Sequence, residues 1–285
     1  MKVKSSMKTG IIDVGGGFRD IYGAGVLDWC LDNGIFFDYG IGVSAGSANL
    51  ISYLAGQRGR NYRFYTEYIF RKAYASMENF LSRRSYVDLD YAYSTLSNHD
   101  GEYPLDYPAF ERNPAAFVVV CCNAETGEAV YFDKSHIRQD HYDVLKASCA
   151  LPIFCMPYEL EGIKGLDGGI VDPIPVLKAF EDGCDRVVLI LTRPVHQLRE
   201  QKKDVLPARM LARSYPRAAE RLLERYRTYN DSLEIAKTYA QLGKLLIVAP
   251  DDICGLSTLS KSREKLEILY QKGLRDAQAI GDFLK

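Results

Sequence analysis

Ile11-Ile12-Asp13-Val14-Gly15-Gly16-Gly17-Phe18-Arg19 is a short β-branched run that ends in three glycines and passes into a stretch with helical spacing. A strand that turns through glycine into a helix opens an α/β unit. Three consecutive glycines free the backbone to aim successive N–H groups into one space, and the helix N-terminus adds positive potential there. Such a loop suits a phosphate or a developing oxyanion, with a plain tight turn as the alternative. It is not a P-loop, because no G-K-[ST] follows at the required spacing. Asp20 also stands where the last glycine of a dinucleotide fingerprint belongs.

The same alternation continues outward. Strands are expected at Ile11–Val14, Tyr39–Val43, Phe117–Cys121, Ala129–Phe132, Arg186–Leu191 and Lys244–Val248, too few for a (β/α)8 barrel. Helices are expected at Arg19–Asn33, Ala45–Gly56, Asn61–Lys72, Asp140–Ala147, Pro175–Asp182, Ser214–Leu242 and Thr258–Leu284, with Gly34 and Gly183 as stop signals. The Pro-containing stretch Tyr103 to Pro114 reads as a loop. One domain over 1–285 is expected, with a motif-bearing core at about 10–195 and a helical C-terminal elaboration at about 199–285. The strand at Lys244–Val248 is expected to return to the main sheet.

With 285 residues, 47% of them hydrophobic and 26% charged, the chain can bury a sizeable core and is not disordered. Its net charge of -1 gives no overall reason to hold nucleic acid. Seven cysteines without a C-x-x-C pair read as reduced thiols rather than a metal site. Lys2, Lys4 and Lys8 precede only Ile11-Ile12 before Asp13, too short a stretch for a signal peptide, and the longest apolar run, Ala115 to Cys122, is far short of a membrane span. A cytoplasmic location is the expectation. Twelve of the 23 glycines fall between Gly10 and Gly59, so close backbone approach, and with it chemistry, is concentrated near the N-terminus.

Two further motifs carry chemistry. Gly42-Val43-Ser44-Ala45-Gly46 is G-x-S-x-G at a strand-to-helix junction, where small neighbours let a serine sit on a strained turn. Gly40-x-Gly42-x-x-Ala45 is the competing reading, a weakened dinucleotide turn. Leu166-Asp167-Gly168-Gly169 delivers a carboxylate on a sharp turn, or is a turn former alone.

Together, G-G-G-x-R, G-x-S-x-G and a distant D-G-G resemble the patatin-like phospholipase family. Lys146-Ala147-Ser148-Cys149-Ala150-Leu151-Pro152 is similar to the family's A-S-x-A-x-P stretch. The resemblance covers about residues 10 to 195. It implies a three-layer α/β/α sandwich with a mainly parallel sheet and a serine lipid acyl hydrolase. By the resemblance, Ser44 is the nucleophile and Asp167 its only partner, without histidine, while Gly15, Gly16 and Gly17 form the oxyanion hole. Arg19 contacts substrate phosphate or pairs with an acidic neighbour such as Asp20. The implied substrate is a phospholipid or other acyl lipid, with no metal or organic cofactor. A solvated aspartate has a pKa of about 3.9 and is a weak base. A desolvated cleft that raises it, and donors aimed at the oxyanion, must compensate.

A Ser-His-Asp α/β-hydrolase is the rival, but its elbow follows several strands and its histidine follows the acid. Here one strand precedes Ser44. Only His196 follows Asp167, and it reads as a loop residue; His99, His136 and His141 come earlier. A non-catalytic acyl-lipid binder is the alternative of another class.

Two segments bear on the substrate side. Tyr62, Phe64, Tyr65, Tyr68, Phe70 and Tyr74 either roof an acyl pocket or pack on the sheet with half-exposed tyrosines. Arg209, Arg213, Arg217, Arg221 and Arg225 recur every four residues, with Ser214 expected as N-cap and Pro216 in the first turn. Residues 199–227 hold nine Lys/Arg against four Asp/Glu, which reads as a solvated face or a patch for anionic membrane headgroups.

Overall fold

A computed structural model describes residues 7–285, so Lys2 and Lys4 lie outside the described residues. Its strands are β1 (Thr9–Asp13), β2 (Tyr39–Val43), β3 (Ala116–Asn123), β4 (Ala129–Asp133), β5 (Tyr158–Leu160), β6 (Ile163–Asp167), β7 (Arg186–Ile190) and β8 (Leu245–Val248). The helices are α1 (Ile21–Asp32), α2 (Ala45–Leu54), α3 (Arg60–Thr66), α4 (Met77–Arg83), α5 (Tyr107–Arg112), α6 (Asp143–Cys149), α7 (Val176–Glu181), α8 (Val205–Leu211), α9 (Pro216–Gln241), α10 (Arg263–Asp276) and α11 (Gln278–Phe283).

All eight strands join one sheet in the order β5-β6-β3-β2-β1-β7-β8, with β4 also paired to β3. The stretch β3-β2-β1-β7-β8 is parallel, and β4 and β6 run antiparallel to β3. Both faces are covered, as a parallel sheet requires. Ile11, Val119, Val188 and Ile190 point to the face packed by α1, α2 and α10, while Ile12, Ile41, Val120 and Leu189 meet α7 and α9. This is the mixed α/β fold with a mainly parallel central sheet that the sequence implied. The C-terminal strand β8 completes that sheet beside β7.

The sequence reading departs from the structure where long-range contacts decide. The run before Asp167 is an antiparallel pair, β5 and β6, too short to be read as two strands. The expected loop Tyr103 to Pro114 contains α5, whose start is marked by Asp106 accepting the Ala109 N–H at 2.9 Å. The expected helix Asn61–Lys72 stops at Thr66. Its chain turns so that Tyr68 is fully buried and Arg71 pairs with Glu102. The expected helix Thr258–Leu284 begins only at Arg263 and restarts at Gln278, because the Thr258 carbonyl is drawn away to accept the Phe18 N–H at 2.8 Å. Ser214 is not the cap of α9: Tyr215 occupies the N-cap position and Pro216 opens the helix.

Candidate active site

In a parallel sheet the carboxyl ends of neighbouring strands share one edge, and crevices there are the usual ligand sites. β1 ends at the glycine loop, β2 at Ser44 and β7 at Thr192, and the three are adjacent. Asp167 arrives differently, at the end of antiparallel β6. The register makes the meeting: Val43 pairs with Val120, and the next residue of β3, Cys121, pairs with Asp167. Ser44 and Asp167 therefore stand at one level on either side of β3.

Ser44 has φ 55° and ψ −131°, a strained conformation for a residue with a Cβ. The turn is held by close backbone contact. A Cβ on Gly46 would lie 2.2 Å from the Asp13 carbonyl oxygen, and one on Gly42 would lie 2.4 Å from Ser47 Cα. Ser148, in the stretch before the aspartate, fixes the elbow to β3. Its hydroxyl accepts the Ser44 N–H at 2.9 Å and donates to the Val120 carbonyl at 2.7 Å, both in the buried interior. The sequence signal for Ser148 was present in its motif, but its partners were not.

Asp167 is 1% exposed. Its Oδ1 accepts the Gly169 N–H at 2.8 Å, and its Oδ2 is buried without a hydrogen-bond partner. Burial pushes this carboxyl above the ordinary carboxylate range; Arg225, the Ser44 hydroxyl, the Gly169 N–H and Arg199 pull the other way. The Ser44 hydroxyl is thus close enough to favour the carboxylate without closing a hydrogen bond to Oδ2.

The glycine loop has φ of 66°, 149° and 62° at Gly15, Gly16 and Gly17. Its three N–H groups are not equivalent. That of Gly15 is engaged by Asp13 Oδ1 at 3.1 Å, while those of Gly16 and Gly17 meet no protein acceptor among the described residues. The Gly15 carbonyl accepts from Thr192 Oγ1 at 2.6 Å, and Phe18 is tied to Thr258. Beneath the loop lie Asp13 and Asp20, both fully buried. Burial raises both pKa values, and the two carboxyls face each other. Asn49 Nδ2 donates to the Asp20 carbonyl at 2.9 Å and braces the turn.

Two cavities open at Ser44 and differ in chemistry. One is apolar, lined by Phe64, Tyr65, Tyr74, Val87, Leu89 and Ala92 among others, with a volume of about 60 Å³. Tyr65 and Tyr74 are buried in its wall rather than half-exposed. The other, of about 220 Å³, contains the glycine loop, Asp167, Arg19, Arg193, Arg199 and Arg225. Arg19 is 5% exposed and Asp20 turns away from it toward Asp13, so the pair weighed from the sequence does not form; the contact of Arg19 is Nε donating to the Gly16 carbonyl at 3.4 Å. Sequence reasoning missed Arg225 here. Periodicity put it on a solvated face, whereas its guanidinium is turned inward against the Asp167–Gly169 turn, where a Cβ on Gly169 would lie 2.8 Å from it. No histidine lines either cavity, and His196 is exposed. Gly40 lies inside β2, not in a loop.

A serine on a strand-to-helix elbow, a buried carboxylate and backbone donors without a protein acceptor thus share one sheet edge. A family model described as patatin-like phospholipase matches residues 14–180, and the chain belongs to that family. A second model, described as a domain of unknown function, matches residues 215–283. The uncharacterized protein YjjU of Escherichia coli strain K12 is 32% identical over 185 residues, covering 63% of this chain and 50% of YjjU. The chain thus spans about half the length of that relative. The crystal structure of VipD from Legionella pneumophila aligns with 97% of this chain and 67% of its own at 16% identity, with a TM-score of 0.49.

Proposed function

We propose that this protein is a serine lipid acyl hydrolase in which Ser44 is the nucleophile and Asp167 the sole proton acceptor. The observation that carries this reading is the strand register, which sets Ser44 and the unpartnered Oδ2 of Asp167 at one level beside the glycine loop. Ser44 Oγ attacks the ester carbonyl and its proton passes to Asp167. The tetrahedral oxyanion is held by the N–H groups of Gly16 and Gly17, the two that the protein leaves free. Collapse expels the alcohol, which takes the proton from Asp167 and leaves an acyl-Ser44. A water then gives a proton to Asp167 and attacks the acyl group, and collapse releases the fatty acid while Asp167 returns that proton to Ser44 Oγ. No metal or organic cofactor takes part.

The raised pKa of Asp167 supports this role, because a less acidic carboxyl is a stronger base. The apolar cavity takes the acyl chain. Residues 199–227 approach an anionic membrane, with Leu206 and Met210 exposed beside Arg209 and Arg213; flotation with liposomes independent of anionic lipid would remove that contact. The catalytic reading is tested by fluorophosphonate labelling. Wild type is expected to be labelled at Ser44, while Ser44→Ala and Asp167→Asn are not. Unlabelled wild-type protein in its folded state would leave a binding protein instead.

A further inference from the structure

The arginine cavity is more strongly charged than hydrolysis of an ester requires. Arg199 is neutralised by Asp204 through a bidentate pair, with contacts of 2.8 and 3.1 Å. Arg19, Arg193 and Arg225 form no ion pair among the described residues. Arg225 Nε is buried without any hydrogen-bond partner. Lys203 at the cavity's edge is exposed to solvent; against the three guanidiniums the cavity holds one further carboxylate, that of Asp167, so two positive charges of these arginines are left uncompensated. Burying charges near one another without counterions is costly, and such an arrangement persists where a ligand supplies the missing charge. Burial first, and then the neighbouring arginines, lower the pKa values of Arg19, Arg193 and Arg225.

We infer that this cavity holds the phosphate group of a phosphomonoester-headed acyl lipid while its acyl chain lies in the apolar cavity across Ser44. A phosphomonoester carries a charge of about −1.5 to −2 at neutral pH, which matches the deficit, and arginine forks suit its oxygens. A phosphocholine group supplies one negative charge and brings a trimethylammonium among guanidiniums, which repel it. A neutral glyceride supplies none. The residues come from three separate parts of the chain: Arg19 from the glycine loop, Arg193 from the segment after β7, and Arg225 from α9. The C-terminal segment thereby becomes part of substrate selection. The lipid assignment rests on the hydrolase reading above for its orientation, though not for the anion site itself.

The test compares kcat/KM for 1-acylglycerol 3-phosphate, 1-acylglycerophosphocholine and 1-acylglycerol of one chain length. Wild type is expected to favour the phosphomonoester at least about tenfold over either rival, and Arg193→Gln to lower that ratio about tenfold, with Arg193→Lys recovering part of it. A flat profile in wild type, or a ratio unmoved by both Arg193→Gln and Arg225→Gln, overturns the inference. Calorimetric titration of Ser44→Ala with short-chain 1-acylglycerol 3-phosphate separates the two readings. Binding without any wild-type hydrolysis sinks the catalytic proposal and keeps this one; hydrolysis without headgroup discrimination does the reverse. Inorganic phosphate binding to Ser44→Ala as tightly as the lipid would assign the cavity to the free ion and overturn the lipid assignment.

Discussion

The two cavities that meet at Ser44 are built by opposite means. The apolar one takes most of its wall from α2, α3 and the segment from Tyr74 to Tyr93, stretches close together in the chain, with Cys149, Leu151, Cys155 and Leu259 closing it from afar. The arginine cavity is assembled from the glycine loop and, well over a hundred residues later, the segment after β7 and the inner side of α9. Local composition left the aromatic stretch of the first open between a pocket roof and sheet packing, and the structure puts Tyr65 and Tyr74 in its wall. The second gains Arg225 because α9, packed on one face of the sheet, turns that arginine inward. An amphipathic helix can hide a charged group of this kind, since its periodic pattern does not distinguish a residue that faces water from one that faces a ligand cavity.

The largest effect that would break the shared pivot of these cavities is Ser44→Ala, expected to lower p-nitrophenyl ester hydrolysis at least about a thousandfold without loss of fold, as checked by circular dichroism. Asp167→Asn is expected to lower kcat by about a hundredfold or more, because the carboxamide accepts no proton. Wild-type kcat/KM should decline on the acid side at a pH above the ordinary carboxylate value, since protonated Asp167 is inactive and its pKa is raised. Arg225→Gln should move that limb further upward, since Arg225 favours the charged carboxylate; a limb that moves down contradicts the placement.

Ala48→Phe sharpens the contrast between the cavities. It narrows the apolar side, where Ala48 forms part of the wall, and should reduce turnover of long-chain esters about tenfold relative to butyrate esters. Ser148→Ala should cost about 1–3 kcal/mol, measured by denaturant unfolding, by leaving the buried Ser44 N–H and Val120 carbonyl without their shared partner. The smallest effect is expected from His196→Ala, with kcat/KM within about twofold of wild type, because an exposed residue outside both cavities moves no proton of the reaction. A large loss there would restore the histidine triad.

Much of this site was legible because its chemistry is local. G-x-S-x-G carries its own explanation: a strained turn demands small neighbours within two residues, and Gly42 and Gly46 are those neighbours. The glycine loop is equally self-contained. Yet the division of labour within it was not, since the side chain of Asp13 occupies the Gly15 N–H and leaves Gly16 and Gly17 as the free donors. The β5–β6 pair escaped notice for a similar reason. Its strands of three and five residues have too little pattern of their own, and pairing with β3 stabilises them.

By itself, then, the sequence determined the α/β alternation, the elbow at Ser44, the glycine loop and the carboxylate turn at Asp167, all of which follow from backbone demands within a few residues. Only the tertiary structure decided that Ser44 and Asp167 flank β3 at one level, that Ser148 pins the elbow, and that Arg225 points inward. These depend on strand register and helix placement, which set distances between residues far apart in the chain, and a one-residue slip of register would turn each strand side chain to the opposite face.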